Sequence, residues 1–196
     1  MTARTRHLVI FARRPQRGVG KRRLAADVGD GEALRFARAA LDRLTRTLGR
    51  DPRWRLWLAA SPDRPLDWVR AGTAIPQGPG DLGERLMRVI TALPPGPVVV
   101  LGSDTPTVTR ADVAAAFRAL GPNRAVFGPA PDGGYWLIGL RRGPGETLPF
   151  GGVRWSTPDA LADTLANLAD CRVARLREQE DIDDGAALRR YRANRP

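Results

Sequence analysis

The stretch Pro97-Val98-Val99-Val100-Leu101, followed at once by Gly102-Ser103-Asp104-Thr105-Pro106, decides the fold. An unbroken β-branched run without polar alternation suits a central strand of a parallel sheet that is covered on both faces. The residues after it then lie at the strand's carboxyl end, the edge where open α/β sheets take their ligands. An acid placed there can reach into the crevice, and Pro106 stiffens the turn that presents it. Asp104 is therefore a candidate ligand for a hard divalent cation such as Mg²⁺, which takes carboxylate oxygens together with substrate phosphates. The competing reading makes it a turn or helix-capping acid.

Outward from this point, strands and helices alternate. His7 to Ala12 reads as a buried strand feeding a Gly/Pro/Arg loop, and Glu32 to Leu48 as a helix with Leu34, Ala37, Leu41, Leu44 and Leu48 at inward spacing. Trp54 to Ala60 and Thr73 to Ile75 follow as strands, then Gly80 to Leu93 as a helix ended by Pro94-Pro95. Thr109 has the form of an N-cap with Asp112 three residues on, opening a helix that stops at Gly121-Pro122. Arg124 to Gly128, Tyr135 to Leu140 and Cys171 to Leu176 read as strands. Thr157 to Leu168 and a terminal segment with Leu188 and Tyr191 facing in read as helices. The economical arrangement is a three-layer α/β/α domain over residues 1–196 with a mainly parallel sheet.

Composition narrows the chemistry. One cysteine (Cys171) and one histidine (His7) exclude an internal disulfide, a Cys/His zinc site and most histidine-based triads. His7 itself reads as a strand-end residue. No apolar run approaches the length of a membrane span, so a cytoplasmic location is expected. The net charge of +11 favours polyanions, yet the basic residues form no tract or stripe with aromatics, which argues against nucleic acid as partner. Lys21 is the one lysine among 32 basic residues. Where arginine serves everywhere else, a retained lysine suggests a need for a compact ammonium on a flexible stem.

That lysine closes the loop Arg13-Arg14-Pro15-Gln16-Arg17-Gly18-Val19-Gly20-Lys21, where backbone N–H groups and a helix start can cradle phosphate. A Walker A loop would need glycine in place of Pro15 and Ser/Thr in place of Arg22, and a dinucleotide fingerprint would need glycine in place of Arg23. Asp132-Gly133-Gly134-Tyr135 puts a second acid in a glycine loop that enters a strand, suited either to close ligand approach or to a tight turn. Asp181-Ile182-Asp183 would present two carboxylates on one side if extended, although acids before a helix are more often caps. Trp155-Ser156-Thr157-Pro158 has the form of an N-cap, with Trp155 available for stacking or packing.

Taken together, FARRPQRGVGKRRL (11–24), GDLGERL (80–86), GSDTP (102–106), GPAPDGGYWLIGL (128–140), WSTP (155–158) and DIDD (181–184) resemble the GT-A-fold nucleotide-diphospho-sugar transferase superfamily. More narrowly, they resemble bacterial proteins related to molybdenum-cofactor guanylyltransferase and 2-phospho-lactate guanylyltransferase. The resemblance implies that Gly18, Gly20 and Lys21, with Arg14 and Ser103 from the same blocks, hold nucleotide phosphates, and that Asp81, Leu82 and Gly83 lie near the base or sugar. It implies Asp104 as the ligand of Mg²⁺ or Mn²⁺. Asp132 is the second candidate ligand or catalytic carboxylate, with Asp181 and Asp183 behind it, and Gly133, Gly134, Tyr135 and Trp155 are candidates for substrate binding. Arg22 and Asp184 stand where the family pattern has threonine. The expected activity is nucleotidyl transfer from an NTP to a small phosphorylated acceptor, with pyrophosphate released. Glycosyl transfer from an NDP-sugar, with Asp132 as base, is the alternative, and a non-catalytic or nucleic-acid-binding protein is a third.

Overall fold

The structure, a computed structural model, describes residues 5–64, 66–143 and 147–194. Its elements in chain order are β1 (His7–Arg13), α1 (Arg22–Val28), α2 (Asp30–Gly49), β2 (Arg55–Ser61), β3 (Thr73–Pro76) and α3 (Leu82–Ala92). There follow β4 (Val98–Gly102), α4 (Arg110–Ala119), β5 (Ala125–Pro129), β6 (Tyr135–Leu140), α5 (Ala160–Ala166), β7 (Val173–Arg175) and α6 (Gly185–Ala193). Seven strands form one sheet in the order β3-β2-β1-β4-β6-β5-β7. Strands β3, β2, β1 and β4 run parallel, β6 runs against both β4 and β5, and β7 is parallel to β5. The sheet is mainly parallel, as expected, and β6 is its reversed member. That reversal brings the start of β6 beside the end of β4, with Leu101 opposite Leu137, so the Asp132–Tyr135 turn and Asp104 share one edge.

Alternation along the central strands divides the core. Leu8, Ile10, Val99 and Leu101 pack with α2 and α4, while Val9, Val98 and Val100 pack with α3 and α5. Two covered faces explain the unbroken apolar runs of β1 and β4, since each residue meets a helix layer whichever way it points. Burying such a side chain contributes about 1.5–3 kcal/mol. A third cluster joins Leu24 of α1, Phe36 and Ala40 of α2, and Ile182, Ala187 and Leu188 near α6. This cluster corrects the sequence reading of α2. Its buried line is Ala33, Phe36, Ala40, Leu41, Leu44 and Leu48 rather than one through Leu34 and Ala37, because the helix serves two neighbours, the sheet and the α1/α6 pair.

Helix α4 begins as its sequence dictates. The Thr109 hydroxyl accepts from Asp112 N, the Asp112 carboxylate accepts from Thr109 N, and two otherwise unpaired donors are satisfied. Helix α3 repeats the device with Asp81 and Glu84. Helix α5 starts later than the Thr157 N-cap reading, at Ala160, after Ser156 adopts a left-handed φ of 61°.

Candidate active site

Four strand ends build a cleft of about 460 Å³ at the carboxyl edge of the parallel strands: Ala12 to Arg14 at the end of β1, Ser61 of β2, Gln77 after β3, and Ser103-Asp104 after β4. Its basic lining comprises Arg13, Arg14, Lys21, Arg22, Arg23 and Arg85, against the carboxylates of Asp104 and Asp183. Such an imbalance in a concave site focuses a positive field on whatever enters.

Lys21 is the hub. The loop before it turns back at Gln16–Val19, passes Gly18 and Gly20 at φ 71° and 69°, and ends with Lys21 itself left-handed at φ 47° as the N-cap of α1. A non-glycine residue seldom accepts that conformation without a local reason. Here it turns the side chain onto the acids. The Lys21 ammonium lies 2.9 Å from Asp104 Oδ1 and 2.8 Å from Asp183 Oδ1, donates to the Ile182 carbonyl at 2.8 Å, and sits 5.8 Å from the Phe36 ring centroid. Its side chain is 11% exposed, whereas those of Asp104 and Asp183 are 45% and 38% exposed. The ammonium is thus the covered partner, and the carboxylates are the groups that a ligand meets first.

The Asp181-Ile182-Asp183 segment reaches Asp104 because Ile182 is pinned between them. Its N–H donates to Asp104 O at 3.0 Å, while its side chain fills the α1/α2/α6 cluster. The flanking carboxylates point the other way: Asp181 accepts from the Thr105 hydroxyl, and Asp183 accepts from Lys21 and from Arg23 at 2.8 Å. Burial pushes the Asp181 carboxyl up to about 6, with the nearby charges of Asp104 and Asp183 adding to the effect. Burial works the same way on Asp183, but Lys21 and Arg23 together outweigh it and hold that carboxyl below its ordinary range. The cap expected of this acidic turn falls to Asp184, whose side chain accepts from Ala187 N at 2.7 Å. Asp104 caps no helix, since Thr109 has that role for α4.

Other sequence candidates lie around this centre. Arg14 and Ser103 line the cleft, and Arg14 also meets Asp67 at 3.5 Å. Asp81 is engaged in its capping box and Leu82 is exposed. Gly83 permits close packing, since a Cβ there would come within 2.8 Å of Trp155 Nε1 and 3.1 Å of the Phe150 carbonyl. Trp155 in turn meets Tyr135 edge-on at 6.5 Å. Burial raises the Tyr135 phenol to about 12, so it stays protonated. These contacts join the 80–86 and 128–140 blocks to each other, but Asp81, Leu82, Gly83, Tyr135 and Trp155 do not line the Lys21 cleft. Asp132 is not among the residues lining the Lys21 cleft, and its Oδ1 accepts from Gly134 N at 3.0 Å, which makes it a turn former in this structure. Gly133, at φ 84°, lies so close to Pro158 that a Cβ would sit 2.1 Å from its carbonyl oxygen.

Arg13, Arg23, Arg85 and Gln77 belong to the cleft without having been singled out as site residues. Arg23 lies two residues past Lys21, and Arg85 lies two residues past the GDLG segment, so both stand inside the quoted blocks. Nothing local marks Gln77, which is buried and donates to the carbonyls of Ala12 and Ala59.

The fold is that of the nucleotide-diphospho-sugar transferases, and the chain is a transferase of that class. The chain belongs to DUF2064, a family described as uncharacterized protein conserved in bacteria, whose profile matches residues 37–157. It is similar to a protein of Desulfovibrio desulfuricans G20 classed as a nucleotide-diphospho-sugar transferase: 30% identity, 97% of this chain and 87% of that one covered, TM-score 0.88. At 16% identity it shares the fold of a CMP:2-keto-3-deoxy-manno-octonic acid synthetase complexed with CTP (TM-score 0.63, 96% and 97% covered). At 13% it shares that of glucosyl-3-phosphoglycerate synthase from Mycobacterium tuberculosis in complex with Mn²⁺, UDP and glucosyl-3-phosphoglycerate (TM-score 0.56, 89% and 70% covered). No curated protein matches the sequence significantly. Among the described residues no helix is long and apolar enough to cross a membrane.

Proposed function

We propose that this protein is a divalent-metal-dependent nucleotidyltransferase that joins a nucleoside triphosphate to a small phosphorylated acceptor and releases pyrophosphate. The observation that carries the reading is the meeting of Lys21 with Asp104 and Asp183 in one arginine-lined cleft at the carboxyl edge of the sheet. A triphosphate carries about four negative charges, and six basic side chains facing two carboxylates suit it. Neighbours of this fold support nucleotide use in general, the synthetase complexed with CTP being of the nucleotidyl-transfer kind and the synthase with Mn²⁺ and UDP of the glycosyl-transfer kind.

The acid pair fits a metal on its chemistry. Asp104 and Asp183, from separate loops, already hold one compact cation between them, the Lys21 ammonium. Carboxylate oxygens are the donors that Mg²⁺ or Mn²⁺ prefers. Among the described residues no group of three or more His, Cys, Asp or Glu is gathered for a metal, in keeping with an ion that draws its remaining ligands from substrate and water. Asp104 and Asp183 would hold the metal, which supplies charge neutralisation at the phosphates when bound. Asp132 is a weaker choice than the sequence suggested, because its carboxylate is committed to the Gly134 turn.

The chain's own groups then bind and orient. Lys21 exchanges its carboxylates for a phosphate oxygen, and the flanking arginines fix the remaining phosphate oxygens through directional N–H pairs. No histidine base is required, since an acceptor phosphate is already a nucleophile. Positioning and charge stabilisation carry the rate. Incubation with each NTP, Mg²⁺ or Mn²⁺ and a panel of phosphorylated acceptors is expected to release pyrophosphate. Release of a nucleoside diphosphate from NDP-sugars would instead make the protein a glycosyltransferase, and turnover of neither donor class would reject both.

A further inference from the structure

We infer that the opposite edge of the sheet carries a second anion site, a hollow that takes a small phosphate-bearing molecule on the guanidinium groups of Arg6, Arg55 and Arg141. The hollow measures about 930 Å³ and is lined where β1, β2 and β4 begin and β6 ends. It is separated from the Lys21 cleft by the length of β1, roughly 20 Å.

Its floor is aromatic. Trp54 and Phe117 stack with centroids 6.0 Å apart and planes at 25°. Arg6 lies over Phe117 at 5.6 Å and Arg53 over Trp54 at 4.9 Å, while Arg55, at the rim, lies over Trp57 at 4.6 Å, a ring that packs on the other face of the sheet. An aromatic face fixes the plane of a guanidinium and leaves its N–H edges directed outward, which suits two-pronged binding of phosphate oxygens. Arg53 is matched by Asp51, but no described carboxylate lies within ion-pair distance of Arg6, Arg55 or Arg141. Arg142, beside them, is a strut that donates to the carbonyls of Gly96, Ile90, Leu93 and Pro94. Uncompensated like charges gathered in one hollow repel each other, and an anion relieves that repulsion.

The field reaches the sheet interior. His7, buried at the start of β1 beside Arg6, accepts from Trp57 Nε1 at 3.1 Å on the sheet face opposite Trp54 and Phe117. Its imidazole is held below the usual histidine range by burial first, and then by the charges of Arg142 and Arg55. The hollow's concave form and volume suit a small molecule, whereas nucleic acid would need an extended basic stripe.

The test is calorimetric titration of inorganic phosphate and pyrophosphate into the full chain, with the ring resonances of His7, the sole histidine, as local reporter. Pyrophosphate is expected to fill two sites. The Arg55→Gln/Arg141→Gln pair, both exposed and so compatible with folding, should weaken one site at least about tenfold and leave the other. Lys21→Ala should do the reverse, and only the site lost with the arginines should move the His7 resonances. A single site lost in Lys21→Ala, or binding indifferent to the arginine pair, would overturn the inference. So would displacement of phosphate by random DNA with a steep salt dependence, which would assign the hollow to nucleic acid.

Discussion

Asp181 is the residue whose environment most directly yields a measurable consequence. Its raised carboxyl means the metal-free folded chain holds that proton more tightly than the unfolded chain does. The fold is therefore favoured at low pH, and stability from this group is lost as pH rises from about 4 to about 6. Above that window the buried charge is a standing cost on the order of 3 kcal/mol. Asp181→Asn keeps an acceptor for the Thr105 hydroxyl and removes the charge. Denaturant titration should show it more stable than the parent at neutral pH and equal to it near pH 4. Gly133 makes the opposite point. A Cβ would sit 2.1 Å from the Pro158 carbonyl, in a backbone conformation that L-residues avoid, so Gly133→Ala should cost about 2 kcal/mol or more by the same titration. The Asp-Gly-Gly turn is thus explained by packing against the start of α5, whether or not a ligand also approaches it.

Among the elements, those with a strong local signal were legible. Helix α4 could be read from Thr109 and Asp112 because a capping box is a short-range device needing nothing but its own residues. Thr109→Ala should cost about 1 kcal/mol and lower the melting temperature by about 2–4 °C, since the Asp112 N–H loses the hydroxyl that accepts from it. Strand β4 was legible for a different reason: a sheet covered on both faces demands apolar residues without gaps. The face of α2 was misread because Phe36 and Ala40 answer to α1 and α6, partners 150 residues away in part, and no periodicity within the helix announces a second neighbour. The short α1 likewise takes its stability from that cluster and from Asp27, which accepts from Gly185 N at 2.7 Å. Within the site, Lys21 stood out by composition and Asp104 by its place after β4. The choice of Asp183 over Asp132 as neighbour of Asp104 was not legible, because it rests on the long-range bond from Ile182 N to Asp104 O.

At the scale of the whole molecule, the basic residues behind the charge of +11 gather at both edges of the sheet and are spread diffusely elsewhere. At the front edge, the covered ammonium of Lys21 and the exposed carboxylates of Asp104 and Asp183 form a small network, and on the proposed function an incoming metal and phosphate would re-pair all three charges. The most direct test is calorimetric binding of an NTP with and without Mg²⁺, for the parent, Asp104→Ala and Lys21→Ala. Metal is expected to strengthen binding to the parent by about tenfold or more. Asp104→Ala should lose that increment while keeping metal-free binding, and Lys21→Ala should weaken binding in both conditions. Equal Mg²⁺ dependence in Asp104→Ala and the parent would contradict the account.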